Sequence, residues 1–394
     1  MAFDSTSDGR TREGDRTEFL GSATFDRTRL FADGDRLPNV VVAMDGTVLA
    51  TWGGYQWPDD DHGLRARRSL DGGGSWSEPI PIGDGEHGGG VLVDESSGAV
   101  LAFIDYRDDD REPDLYRSTD HGQTWDAIPL TIEADQHGNV PSLHMAEHGI
   151  TLQHGLKPGR LIRPARVYGD RGYNTAIYSD DCGRTWQPSA PFPIRGTGEG
   201  AIAELTDGRI YYSSRQHHFP AQPFRSARLY ALSDDGGEHW HNPTYADAIP
   251  DVPRHRSAEG RGACYNGHFG MMGGLTRLPI SGEDVLVYSN ADNDGHQRRN
   301  ISVWVSFDGG ATWPVKRIVD DGPAAYSSIE AGRPGTQSAG TIYLFYEDGT
   351  MAASAADTVS RIRYAGGTLA AFNLSWLARG TATADGTIPS WVEQ

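Results

Sequence analysis

A chain of 394 residues with 54 Asp and Glu against 35 Lys and Arg carries a formal net charge of −19 at pH 7. That surplus of carboxylates repels phosphates, which excludes nucleic acid and anionic membrane surfaces as principal partners. With 50 Gly, 22 Pro, 10 Trp and only two Cys, the composition points to many short strands joined by tight turns, and it excludes a disulfide scaffold.

Taken in order, residues 1–17 are polar, charged and Gly-containing, and read as a disordered leader. They hold no apolar run of the signal-peptide kind, and no later segment reaches transmembrane length. The chain therefore reads as cytoplasmic, or as secreted with its signal already removed. Residues 18–380 read as one domain, monomeric or weakly homo-oligomeric, and 381–394 as a C-terminal tail that has lost strand character.

Inside the domain, Arg36-Leu37-Pro38 leads into Val40-Val41-Val42, and Gly46-Thr47-Val48-Leu49-Ala50 runs back beside it. The loop that follows, Trp57-Pro58-Asp59-Asp60-Asp61-His62-Gly63-Leu64-Arg65, concentrates three carboxylates. Five near-copies of Ser-x-Asp-x-Gly-x-(Thr/Ser/His)-Trp then punctuate the chain at 69–76, 118–125, 179–186, 233–240 and 306–313. Each is a turn with a mechanism: the Asp accepts hydrogen bonds from its own backbone, the Gly supplies a positive φ, and the Trp plugs the turn against neighbouring strands.

The box serines are 49, 61, 54 and 73 residues apart. A unit of about fifty residues suits a four-stranded propeller blade with the box between its third and fourth strands. A box-less stretch, 324–377, adds a blade that the start of the chain closes by pairing its first strand with the last. The expected fold is an all-β, six-bladed β-propeller.

Two other motifs are set aside. His144-Met145-Ala146-Glu147-His148 spells an inverted zinc-protease signature, but that motif needs a helix, and Gly149-Ile150-Thr151-Leu152 reads as a strand. Asn290-Ala291-Asp292-Asn293-Asp294-Gly295 opens like a calcium loop, but its twelfth position is Ile301 where a Glu belongs. Cys182, inside a box, and Cys264 read as free thiols.

The boxes resemble the Asp-boxes of bacterial neuraminidase (BNR) repeats. The segments between them resemble, in family order from about Arg36 to Leu377, an exo-sialidase of the retaining propeller family. Arg36-Leu37-Pro38 is similar to the entry motif whose Arg is the first of three that grip the substrate carboxylate. Gly198-Glu199, followed by Glu204-Leu205-Thr206-Asp207-Gly208-Arg209, is similar to the segment with the catalytic glutamate, and Arg215 falls where the second arginine stands. Arg298, two before Asn300, matches the third. Ala325-Tyr326-Ser327-Ser328 resembles the nucleophile motif, and Leu344-Phe345-Tyr346-Glu347 the strand whose glutamate holds the first arginine.

The chemistry explains the association. A sialic acid carries its carboxylate on the anomeric carbon, so a pocket must neutralise an anion beside the reacting centre, and guanidinium forks do so. That carboxylate repels an Asp or Glu nucleophile, whereas a phenol deprotonated by a nearby carboxylate avoids the clash. The resemblance thus implies Tyr326 as nucleophile, Glu199 as its base, and Arg36, Arg215 and Arg298 as the clamp, with Glu347 behind Arg36. Asp60 is the choice for the acid/base, with Asp61 close behind; counting back from Arg67-Arg68 leaves room for Asp59 as well.

No cofactor is required. The implied substrates are sialylated or ulosonic-acid-bearing glycans. The family's Asp-x-Arg after the second strand is replaced here by Trp52-Gly53-Gly54-Tyr55-Gln56, while Asp105-Tyr106-Arg107 appears one blade later. That departure weakens the case for ordinary N-acetylneuraminic acid and leaves a related ulosonic acid, such as a deaminated or eight-carbon form, open beside it. The rival readings are a glycosidase or lyase for another sugar on the same fold, and a non-catalytic propeller serving as a lectin or docking scaffold.

Overall fold

The repeated box closes on its own side chains. In the first copy the Asp71 carboxylate accepts from Ser69 Oγ (2.8 Å), the Ser75 amide (2.8 Å) and Ser75 Oγ (2.6 Å), while Ser69 Oγ accepts from the Gly73 amide at 2.7 Å. Gly72 and Gly73 hold φ values of 71° and 100°, which any Cβ would strain. Asp120, Asp181, Asp235 and Asp308 repeat the pattern. The fourth box differs in its plug, since the Trp240 indole donates to Ser189 Oγ and not to a box carbonyl. The hydroxyl and amide of Ser75 hold the Asp71 carboxyl down at about 2, so acid does not loosen this turn until pH falls toward that value.

The computed structural model describes residues 13–32, 35–53, 63–84, 90–105, 113–144, 147–169, 172–217, 227–251, 270–292, 298–349 and 365–392. After a short helix α1 (Arg16–Phe19) and strand β1 (Phe25–Phe31), the first sheet comprises β2 (Arg36–Val42), β3 (Val48–Gly53), β4 (Leu64–Ser69) and β5 (Ile80–Gly83). The second holds β6 (Val91–Asp94), β7 (Ala99–Ile104), β8 (Asp114–Ser118) and β9 (Asp126–Ile128). In the third, β10 (Thr131–Ile132) pairs parallel to the edge of β11 (Ile150–Thr151), β12 (Leu161–Val167), β13 (Tyr173–Ser179) and β14 (Thr185–Pro188). The fourth is β15 (Thr197–Glu204), β16 (Ile210–Gln216), β17 (Arg228–Ser233) and β18 (His241–Ala246).

The last sheet has eight strands: β19 (Leu275–Arg277), β20 (Leu286–Ala291), β21 (Arg299–Ser306), β22 (Val315–Ala331), β23 (Ile342–Asp348) and β24 (Gly366–Phe372), with β1 beyond β24 and, after helix α2 (Leu374–Ala378), β25 (Thr381–Ala382) beside β22. Every box lies between the third and fourth antiparallel strands of its run, as expected, and β1 pairs with β24, Phe25 opposite Phe372. The chain's beginning does complete its last sheet.

Six separate sheets, however, are not found among the described residues. β22 pairs with β21 as far as Pro323 and with β23 from Ala324 onward, so it joins two four-stranded runs into one sheet. The 17-residue strand stays extended through Gly322-Pro323, so no turn divides the two runs.

Two expectations at the ends are also corrected. Of the leader, residues 1–12 lie outside the described residues, but the Gly14 amide donates to the Pro279 carbonyl at 2.8 Å, and Arg16, which opens α1, pairs with Glu283. In the tail, β25 pairs with Val315 and Lys316, and Trp391 packs edge-on against Phe307. Phe19, just past the leader, is fully buried, and burial of Phe19 and Trp391 offsets the entropy of ordering the two ends.

The innermost strands form a ring. β2 packs on β6, β6 on β11, β15 on β19, and β19 on β22, which returns to β2, while β12 and β13 bridge to β15. Large aromatic side chains fill the wedges between sheets, with Trp52, Trp186, Trp304 and Trp313 fully buried.

A cavity of about 500 Å³ opens at the C-terminal ends of the inner strands, lined by Val41, Val93, Glu204, Arg277, Glu330 and Arg333 among others. Burial pushes the Glu204 carboxyl up to about 7, against the amides of Gln153 and His154 that bind it. The native state therefore holds this proton more tightly than the unfolded chain, so stability falls as pH rises from about 4.5 to about 7, by on the order of 3 kcal/mol from this group. Chemical denaturation at stepped pH is expected to show that slope, and Glu204→Gln to flatten it.

Candidate active site

At their other ends the inner strands are irregular, and the irregularities carry the polar residues. The register of β2 shifts between Arg36 and Asn39, that of β15 between Gly198 and Gly200, and that of β22 between Ala324 and Ser327. Leu37 and Glu199 take φ values of 63° and 60°, and Asn300, two residues after Arg298, takes 56°. Bulges re-aim side chains out of the pleat, and non-glycine residues at positive φ cost about 1–3 kcal/mol each unless the surroundings hold them. Three such residues beside the same few side chains mark a built site.

The Gly198-Glu199-Gly200 bulge shows why. A Cβ on Gly198 would lie 2.6 Å from His217 Nδ1 and 2.9 Å from Arg166 Nη2, and one on Gly200 would lie 2.3 Å from the Tyr212 ring. The glycines let neighbouring side chains close on the glutamate from both sides. Gly200→Ala is expected to push Glu199 out of line and lower turnover by about a hundredfold, the cost of a misplacement of about 1 Å. Initial-rate kinetics beside a melting curve check this.

Glu199 is buried and holds Tyr326: the phenol donates to Glu199 Oε1 at 2.8 Å. Arg215 Nη1 reaches both, with a close contact to Glu199 Oε2 and 3.2 Å to the Tyr326 oxygen. Arg36 is gripped in a two-pronged pair by Glu347, Nε to Oε1 at 2.9 Å and Nη2 to Oε2 at 3.0 Å. Glu347 also accepts from the amides of Leu37 and Tyr326, at 3.1 and 3.2 Å, so one carboxylate ties both bulges together. The guanidinium carbons of Arg36 and Arg298 lie 5.0 and 5.1 Å from the centre of the Tyr326 ring. Arg298 Nη2 is steadied by the Gly270 carbonyl at 3.2 Å.

Six of the seven residues singled out in the sequence thus meet at one place. Asp60, with its neighbours Asp59 and Asp61, lies outside the described residues, as do Arg107, Cys264 and part of the calcium-like loop.

Two further residues belong to the group without having been singled out. Arg166 on β12 lies 3.6 Å from Glu199 Oε1 and donates to His217 Nδ1 at 2.5 Å. Arg228 is buried, pairs with Asp251 at 2.9 Å and donates to the Glu199 carbonyl at 3.3 Å, which fixes the backbone of the bulge. The signal for both lay in the strands: Leu161-Ile162-Arg163-Pro164-Ala165-Arg166 and Ala227-Arg228-Leu229 set arginines among apolar residues that are buried on both faces.

Burial alone would raise the Glu199 carboxyl, but the charges of Arg215, Arg166 and Arg298 outweigh it and hold the group at about 2. The site therefore presents an ionised carboxylate bonded to a phenol, with guanidinium groups from several sheets beside it. Such an arrangement can bind a carboxylate and hand a proton from the phenol to the glutamate.

Comparisons with known proteins agree with this picture. The pattern of the BNR repeat-like domain family matches residues 46–341. A sialidase of Micromonospora viridifaciens is 30% identical over 387 residues, covering 90% of this chain and 53% of that protein. A sialidase of Bacteroides fragilis is 26% identical over 328 residues, covering 73% of this chain and 56% of its own. The chain thus spans about half the length of these curated relatives. Among solved structures, the Hadza microbial sialidase Hz136 superposes with a TM-score of 0.63 at 22% identity, over 87% of this chain and 66% of that one, which shows the shared fold.

Proposed function

The chain belongs to the BNR repeat-like domain family, and on that premise we propose that it is a retaining exo-glycosidase that hydrolyses terminal α-linked sialic or related ulosonic acids through a tyrosyl-glycoside intermediate. One observation carries the reading: the Tyr326 hydroxyl donates to Glu199 at 2.8 Å beside Arg36, Arg215 and Arg298.

In the first step the substrate carboxylate sits on the three arginines. The acid, assigned to Asp60, protonates the leaving oxygen as its bond to the anomeric carbon breaks. The Tyr326 oxygen bonds to that carbon and passes its proton to Glu199. In the second step water attacks the same carbon, giving its proton to Asp60, and the phenol leaves with the proton returned by Glu199. Arg215 links the clamp to this proton transfer. A substrate carboxylate that draws Arg215 to itself weakens the charge holding Glu199 down, and so makes it a better base at the moment of attack.

The reading includes six blades, with the eight-stranded sheet taken as two joined through β22. The closed ring of inner strands and the five box positions support it. The sugar stays open among sialic acid and its deaminated and eight-carbon relatives.

The test is release of a fluorogenic aglycon from ulosonosides of all three kinds. Turnover of any of the three supports the reading, and their order gives the sugar preference. Binding of a dehydro-sialic acid with no release from any substrate leaves a lectin instead.

A further inference from the structure

Resting on that reading of Tyr326 and Glu199, we propose that Glu147 is a positioning residue that braces, at the hub of the ring, the three inner strands carrying Arg36, Glu199 and Tyr326. Its backbone amide donates to the Gly200 carbonyl at 3.2 Å, one residue beyond Glu199 on β15. Its carboxylate oxygen Oε1 accepts from Ser328 Oγ at 2.7 Å and from the Ile329 amide at 3.1 Å, two and three residues beyond Tyr326 on β22. Ser328 Oγ in turn accepts from the Val40 amide at 3.0 Å, four residues beyond Arg36 on β2.

Glu147 is fully buried, and its Oε2 has no hydrogen-bond partner among the described residues. Burial pushes its carboxyl up, against the pull of His148 and Ser328. His148 beside it turns both ring nitrogens to carbonyls, Nδ1 to Gly149 at 3.2 Å and Nε2 to Ile329 at 3.0 Å, which seats the pair between the site and the cavity below.

Glu147 Oε1 also lies 3.4 Å from His148 Nε2, and such a buried pair is replaceable as a whole by apolar side chains at no loss, or at a gain, although removing one partner alone destabilises. What apolar replacements do not supply is a fixed separation between strands. The β15 and β22 bulges lie on different sheets and pair with each other nowhere, yet the Tyr326 to Glu199 hydrogen bond spans them and fails if either slides. Glu147 touches neither the phenol nor the base; it sets the distance between the strands that present them.

The experiment compares Glu147→Gln, Glu147→Ala and Ser328→Ala in the full chain. Gln keeps the acceptor for both Ser328 and Ile329, so its kcat should stay within about threefold of wild type. Loss of the carboxylate in Glu147→Ala should lower kcat by about a hundredfold with KM within about threefold, because the clamp on the substrate carboxylate has its own support in Glu347. Ser328→Ala should fall between them. Unchanged kcat in Glu147→Ala, or losses that follow only the folded fraction measured by melting, overturn the proposal.

If Glu147→Ala does not fold, Ser328→Ala decides, and full kcat in that variant overturns the proposal. Crystal structures give a readout independent of turnover: in Glu147→Ala the Tyr326 to Glu199 distance should open beyond hydrogen-bonding range from 2.8 Å, and an unchanged distance overturns the brace. A wild type inactive on every ulosonoside would reject the proposed function while this structural comparison still decides the role of Glu147.

Discussion

Tyr326→Phe is expected to lower kcat on a fluorogenic ulosonoside by about a thousandfold while leaving the melting temperature nearly unchanged. The change removes one oxygen that donates to Glu199 and accepts from Arg215. Because the Glu199 and Arg215 side chains still pair with each other, no buried charge is abandoned and the structural cost stays near that of one hydrogen bond, about 1 kcal/mol. The chemical cost is of another order. Without the phenol oxygen, the nearest oxygen nucleophile among the described residues is the Glu199 carboxylate, which the substrate's own carboxylate repels. The expected residual rate is that of binding and charge stabilisation by the arginines alone. Turnover equal to wild type rejects the nucleophile assignment.

Arg36→Met is expected to damage both binding and folding, and the two can be separated. For the substrate, loss of a charge-assisted hydrogen bond to the carboxylate costs about 1.5–3 kcal/mol, which raises KM about tenfold to more than a hundredfold. For the fold, Glu347 is left buried with its paired cation gone, and breaking such a pair costs about 3–5 kcal/mol. The same carboxylate anchors the amides of Leu37 and Tyr326, so the damage spreads to Tyr326. The double variant Arg36→Met/Glu347→Gln removes the orphaned charge. Its melting temperature should recover most of the loss while its KM stays high. A KM that recovers along with stability shows that Arg36 acts only as a structural ion pair.

The Asp-boxes were legible because their chemistry is local. Each Asp, Ser and Gly acts on its own turn, so five copies announce both the repeat and the position of the turn within each run of strands. Arg36, Glu199, Arg215, Arg298, Tyr326 and Glu347 were legible through resemblance, and the structure adds what spacing does not contain. The β bulges that aim them depend on pairing across strands, and only the Gly-Glu-Gly run around Glu199 hinted at one.

Arg166 escaped notice because nothing next to it in sequence marks it; its significance comes from Glu199 and His217, 33 and 51 residues further on. Glu147 stood inside a motif set aside as a metal site, and its use as a brace appears only once Ser328 and Gly200 are brought to it in space. The continuous β22 was hidden for a similar reason. The sequence suggests a separate blade from 324 onward, yet Gly322-Pro323 carries an extended strand from one run into the next. The packing of Phe19 and Trp391 likewise depends on distant partners.

The most direct test of the central claim is to trap the protein with a fluorinated ulosonosyl fluoride, whose second fluorine slows breakdown of any covalent intermediate, and to read the labelled peptide by mass spectrometry. The label is predicted on the peptide containing Tyr326, one sugar residue heavier and absent from Tyr326→Phe. A label on a carboxylate side chain, or hydrolysis of the fluoride with inverted configuration and no label, contradicts it.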